Sequence, residues 1–187
     1  MRLFFALFPP VSPDLEELYE DLAVAGENLK RVPPQKMHFT VKFLGEVHQK
    51  QDDISRVADS VISGYECFDM DYGGAGAFPS WRKPSVIWLG VKNGEKLELL
   101  ASDLDRALNE EIMVKKEKRP FKAHLTVARL RRGRRMDIKE VRKVMERSAE
   151  RMEAGDQNIP VRRIHLCSSK LTPDGPIYER VREFRLK

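Results

Sequence analysis

Apolar positions along this chain follow two rhythms. Short runs rich in Phe, Val, Ile and Leu read as strands at residues 2–8, about 36–44, 66–72, 85–91, about 120–130, 160–168 and 176–186. Between them, apolar residues recur every three or four positions, the spacing of a helix with one buried face. Leu15, Leu18, Leu22 and Leu29 mark the first helix, which opens at Ser12-Pro13, a capping serine followed by a first-turn proline. Ile54, Val57, Ala58, Val61 and Ile62 mark a second over about 50–63. Leu97, Leu100, Leu104 and Leu108 mark a third over about 95–110, and Ile138, Val141, Val144, Met145 and Met152 a fourth over about 137–153. The segment Gly73-Gly74-Ala75-Gly76-Ala77-Phe78-Pro79 reads as a loop, Asn93-Gly94 as a turn, and Arg131-Arg132-Gly133-Arg134-Arg135 as a basic turn.

The order is strand, helix, strand, helix, strands, and then helix, strand, helix, strands. This loose duplication lacks the even alternation of a doubly wound parallel sheet. It predicts an α+β fold with mostly antiparallel sheets, a bilobal body with pseudo-twofold symmetry. A chain of 187 residues fits a single bilobal domain over 1–187.

Two strand candidates at corresponding points of the duplication nearly repeat each other: His38-Phe39-Thr40-Val41 and His124-Leu125-Thr126-Val127. Residues i and i+2 of a strand share a face, so each motif aims an imidazole and a hydroxyl in one direction. Phosphodiester cleavage needs a base for the nucleophile, an acid for the leaving oxygen, and donors for the phosphoryl oxygens. Histidine serves either proton transfer near neutral pH, and threonine hydroxyls donate to non-bridging oxygens. One such motif alone is an ordinary polar strand; two, matched across a duplication, point to a site. A metal centre fits less well, because the motif strands supply only two nitrogens.

Composition narrows the field further. Hydrophobic residues make up 41% of the chain and charged residues 34%, with a net charge of +5. Excess positive charge fits a polyanionic partner. Cys67 and Cys167 form no C-x-x-C pair and read as reduced, partly buried thiols of a cytoplasmic protein. No apolar run reaches the length of a membrane span, and no membrane partner is expected. There is no P-loop, no G-x-S-x-G, and no dinucleotide-binding glycine pattern. His48 reads as a surface residue and His165 as a structural one.

The paired motifs resemble those of the 2H phosphoesterase superfamily. Flanking stretches sharpen the resemblance to the RNA 2′,3′-cyclic phosphodiesterase (2′-5′ RNA ligase) family. They are Arg2–Leu7, His38 to Val47, Phe78-Pro79 through Pro84 to Trp88, Arg119 through Arg129, Leu171-Thr172-Pro173 and Gly175 to Tyr178. The resemblance implies sheets facing a central cleft with helices packed outside, and metal-independent hydrolysis of RNA 2′,3′-cyclic phosphate ends to 2′-phosphomonoesters. It implies no cofactor. His38 would be the proton donor, His124 the proton acceptor, and Thr40, Thr126 and Arg129 the phosphate-binding residues. Strand alternation sets Arg129 on the face opposite Thr126 unless a bulge or a strand end intervenes; Lys42 has the parity that Arg129 lacks, and Arg131 is the other basic candidate. The implied partner is RNA with a cyclic phosphate end, tRNA fragments among the candidates; a monomer is expected, though no sequence feature sets the oligomeric state. The same histidines could run 2′-5′ ligation in reverse. The rival reading is a non-catalytic RNA- or nucleotide-binding protein.

Overall fold

The computed structural model describes residues 2–131, 137–155, 157–172 and 175–187. The Arg132–Arg135 part of the basic turn, and Pro173, lie outside them. In chain order the elements are β1 (Arg2–Leu7), α1 (Pro13–Asp21), β2 (Leu29–Arg31), β3 (Phe39–Glu46), α2 (Gln51–Ile62), β4 (Phe68–Phe78), β5 (Val86–Lys92), α3 (Glu95–Ile112), β6 (His124–Leu130), α4 (Ile138–Ala154), β7 (Asn158–Val161), β8 (Arg163–Thr172) and β9 (Gly175–Arg185). The strands form two antiparallel sheets, ordered β3-β1-β8-β9 and β2-β6-β5-β4-β7.

The duplication is visible in these orders. Strand β3 sits beside β1 as β6 sits beside β5. The third strand of each run is exchanged: β4 follows α2 in the chain but pairs with β5, and β8 follows α4 but pairs with β1. Each half of the chain thus completes the sheet of the other. The helices cover the outer faces, α1 against α4 and α2 against α3. Their stripes are buried as the periodicity requires: Leu15 and Leu18; Ile54, Val57, Ala58 and Ile62; Leu97, Leu100, Leu104 and Leu108; Val141, Met145 and Met152. Each fully buried leucine or isoleucine contributes about 1.5–3 kcal/mol relative to exposure.

Three expectations are corrected. The glycine-rich segment 73–78 is not a loop but the second half of β4, paired with β5. A bulge between Tyr72 and Ala75 admits Gly74 at φ +69°, and the Trp88 ring lies so close over Gly76 that a Cβ there would stand 2.1 Å from it. The glycines make room for a side chain of the neighbouring strand. The first helix ends at Asp21, followed by a 3₁₀ segment in which Gly26 takes φ +54°, so Leu29 opens the short strand β2 instead of closing a helical stripe. The thiols also differ from the sequence reading: Cys67 is exposed and Cys167 is buried.

Lys42 is the fourth departure. It faces away from the cleft and is 2% exposed, with its Nζ 2.5 Å from Asp105 Oδ1 on α3 and 2.9 Å from the carbonyl of Lys115. Glu117 lies 3.8 Å away. The ammonium therefore ties β3 to α3 and to the segment that leads into β6. Removing one partner of a buried ion pair leaves the other charge uncompensated. Lys42→Ala is expected to destabilise the fold by about 3 kcal/mol, read as a lower denaturant midpoint; an unchanged midpoint would show that the tie carries no weight.

Candidate active site

Each motif strand carries a bulge just after its threonine. Between β5 and β6, Gly90 pairs with His124 and Trp88 with Thr126, but Val86 pairs with Arg129. Gly90, Trp88 and Val86 alternate regularly on one face of β5, so His124, Thr126 and Arg129 share the facing side of β6. The extra residue sends both Val127 and Ala128 into the core, where each is fully buried. Strand β3 repeats the device. Phe4 pairs with Phe43 and Ala6 with Thr40, while Val41 and Lys42 both turn inward. Arg129 therefore reaches the cleft despite its parity, Phe43 takes the equivalent place in the other lobe, and Lys42 does not reach it. Arg131 is exposed and absent from the residues lining the cleft.

The cleft is a cavity of about 340 Å³ lined by Phe4, Lys36, His38, Thr40, Thr126 and Arg129, with Val32, Phe43, Ser169 and Tyr178 completing its wall. Strands β3 and β6 approach each other directly beside it. His124 is not among the lining side chains; it stands two residues from Thr126 on the same face of β6. The guanidinium of Arg129 acts electrostatically on the rings of both His38 and His124, so one cation lies within reach of both.

The two imidazoles are held alike. His38 Nδ1 lies 2.8 Å from the carbonyl of Lys36, and His124 Nδ1 lies 2.7 Å from the carbonyl of Lys122. A carbonyl only accepts, so Nδ1 carries the proton and Nε2 is the free nitrogen in each neutral ring. Aromatic rings fix both orientations. His38 packs against Phe4, Phe8 and Tyr178 at centroid distances of 5.3, 5.4 and 5.1 Å. His124 packs against Phe78 at 5.1 Å and Trp88 at 6.2 Å. Phe4, Ala6 and Cys167 form a small apolar layer beneath His38, so β1 is buried on both faces. Burial pushes the Cys167 thiol up to about 11, which keeps it neutral.

Burial is the main force lowering both imidazole pKa values below 6.5; the carbonyl bonds oppose it and the Arg129 charge adds to it. A pair of imidazoles, two hydroxyls and a guanidinium can together bind a phosphoryl group and move protons on either side of it. Among the described residues, no group of three His, Cys, Asp or Glu side chains could hold a metal ion. His165 is buried, 3.5 Å from Glu183, and His48 is exposed; neither lines the cleft. Sequence reading assigned no role to Phe43, Lys36 or the aromatic supports of the histidines. Tyr178 lay in a family-like stretch, but nothing in that stretch alone marks it as a cleft residue.

The comparisons with known proteins agree with this architecture. The sequence profile of the 2′-5′ RNA ligase superfamily matches residues 7–171. The chain belongs to this superfamily. A protein named RNA 2′,3′-cyclic phosphodiesterase from Methanothermobacter thermautotrophicus is 36% identical over 92% of this chain and 90% of its own length. One of the same name from Archaeoglobus fulgidus is also 36% identical, over 98% of this chain and 99% of its own. A crystal structure of a Thermus thermophilus protein superposes with a TM-score of 0.78 at 25% identity, covering 99% of this chain and 97% of that one. Family membership thus accounts for the α+β duplication with its two facing sheets. No helix among the described residues is long and apolar enough to cross a membrane.

The shared influence of Arg129 is open to direct measurement. Histidine ring titration by NMR is expected to place both imidazoles below pH 6.5, and Arg129→Gln to raise both, because a nearby positive charge disfavours the imidazolium. A variant that moved only one ring, or neither, would contradict the geometry.

Proposed function

We propose that this protein hydrolyses RNA 2′,3′-cyclic phosphate ends to 2′-phosphomonoesters, without a metal or organic cofactor. The observation that carries the reading is the pair of bulged strands, which turn His38, Thr40 and Phe43 from one lobe and Thr126 and Arg129 from the other toward one cleft, with His124 on the same face of β6 as Thr126. The names of relatives that match nearly the whole chain support the same activity.

In this mechanism Thr40, Thr126 and Arg129 hold the non-bridging oxygens. His124 Nε2 takes a proton from water as the water oxygen attacks phosphorus. The bond from phosphorus to the 3′ oxygen breaks, and His38 delivers the proton from its Nε2 to that oxygen. His38 must therefore start protonated, although burial disfavours its charge; the bound phosphate supplies the opposing negative charge. The assignment of donor to His38 follows the family resemblance. Replacing water by the 5′-hydroxyl of a second RNA gives 2′-5′ ligation through the same atoms, and excess water favours hydrolysis unless the two ends are held together.

Activity toward a cyclic-phosphate oligonucleotide is expected to persist in excess EDTA, with 2′-phosphate as the product. His38→Ala and His124→Ala should each lower kcat/KM by roughly 10²–10⁴-fold. The pH profile of kcat/KM should be bell-shaped. A base is lost as pH falls through its pKa and an acid as pH rises through its own, so both limbs lie lower than ordinary imidazoles would put them. Full activity in either variant overturns the assignment. Salt-sensitive binding without turnover would instead identify an RNA-binding protein.

A further inference from the structure

A second cavity, of about 260 Å³, adjoins the cleft and shares Val32, Lys36, Arg129 and Tyr178 with it. Its remaining walls are Lys30, Arg31, Pro33 and Pro176, and among the described residues no carboxylate lines it. Arg31 contributes little to a ligand here, because its guanidinium bonds the Tyr19 carbonyl at 2.6 Å and lies over the Tyr19 ring. Lys30 bears on the groove through its register. Strand β2 pairs with β6 so that Lys30 stands directly opposite Arg129, on the cleft face. Lys36, exposed on the 3₁₀ turn before His38, adds a third cation at the junction of the two cavities.

Lys30, Lys36 and Arg129 wall a groove that opens from the cleft, and that lining suits a second anion. Resting on the activity proposed above, we propose that this groove binds the phosphodiester immediately 5′ of the nucleotide bearing the cyclic phosphate. Arg129 then lies between two phosphates: the reacting one in the cleft and the next one in the groove, where Lys30 and Lys36 also face it. Pro33, Pro176 and Val32 supply apolar wall for the intervening sugar. The groove makes the enzyme selective for RNA ends over free nucleoside cyclic phosphates, since a mononucleotide carries no second phosphodiester.

The experiment compares a nucleoside 2′,3′-cyclic phosphate with the matching dinucleotide and trinucleotide, each ending in a 2′,3′-cyclic phosphate, for the wild-type chain, Lys30→Gln and Lys30→Arg. Wild-type KM is expected to fall by about tenfold from mononucleotide to dinucleotide at low salt and to change little with the third nucleotide. Lys30→Gln should raise dinucleotide KM with kcat and mononucleotide kinetics unchanged, and should reduce the salt slope of dinucleotide KM by about one. Lys30→Arg should keep the wild-type preference. Equal KM for mono- and dinucleotide in the wild type overturns the groove while leaving the activity intact. So does a Lys30→Gln loss that is the same for both substrates. No turnover of any substrate by the wild type overturns the activity, and the groove with it.

Discussion

One irregularity in strand pairing governs this site. A regular strand would put the residue five places after each motif histidine on the face opposite the motif threonine. The bulge after Thr40 and after Thr126 reverses that alternation. It lets two successive residues enter the core and brings Phe43 and Arg129 round to the cleft. Without it, the cleft would hold the His38 imidazole and two hydroxyls but no guanidinium. The two lobes meet the demand differently. In the second, the inward pair is Val127 and Ala128, which a core accepts readily. In the first it is Val41 and Lys42, and the buried ammonium is tolerated because Asp105 and the Lys115 carbonyl meet it there. The bulge dictates where the side chains go, and each lobe has found its own way to accommodate them.

The same economy of means holds the imidazoles. Each hydrogen-bonds through Nδ1 to the carbonyl two residues before it, a partner that is always present because it is backbone. Rings from neighbouring strands then stop rotation: Phe4, Phe8 and Tyr178 around His38, Phe78 and Trp88 around His124. The apolar packing that fixes orientation also excludes water, so it lowers the pKa of each ring. Positioning and proton affinity are therefore one property of this site, set by the same aromatic residues.

The sequence announced the histidines and threonines because i, i+2 spacing in an apolar run has one simple structural meaning. It did not announce the bulges. Thr126-Val127-Ala128-Arg129 reads as unbroken alternation, and the extra residue becomes visible only against β5. The glycine run misled for the same reason. Gly76 is small because Trp88 of the next strand lies on it, a relation between residues twelve apart that no local pattern contains. Helices were legible almost throughout, since their stripes report burial directly; the exception was α1, where Leu29 kept the helical spacing although Gly26 had already turned the chain away. Strand β2, three residues long, exists only because β6 offers it an edge.

Near-identical motifs need unequal surroundings if one ring is to give a proton and the other to take it. The duplication supplies that inequality at the positions the bulges control. Where the first lobe presents the Phe43 ring, the second presents the Arg129 guanidinium. Where His38 rests on three rings, His124 rests on two. A cation facing an aromatic ring across a cleft also gives the cleft two chemically distinct ends, one suited to phosphate and the other to a flat apolar group. On the cation's side lies the groove bordered by Lys30 and Lys36. A ligand with a phosphate at one end and a flat ring at the other would meet an orientation built into the protein.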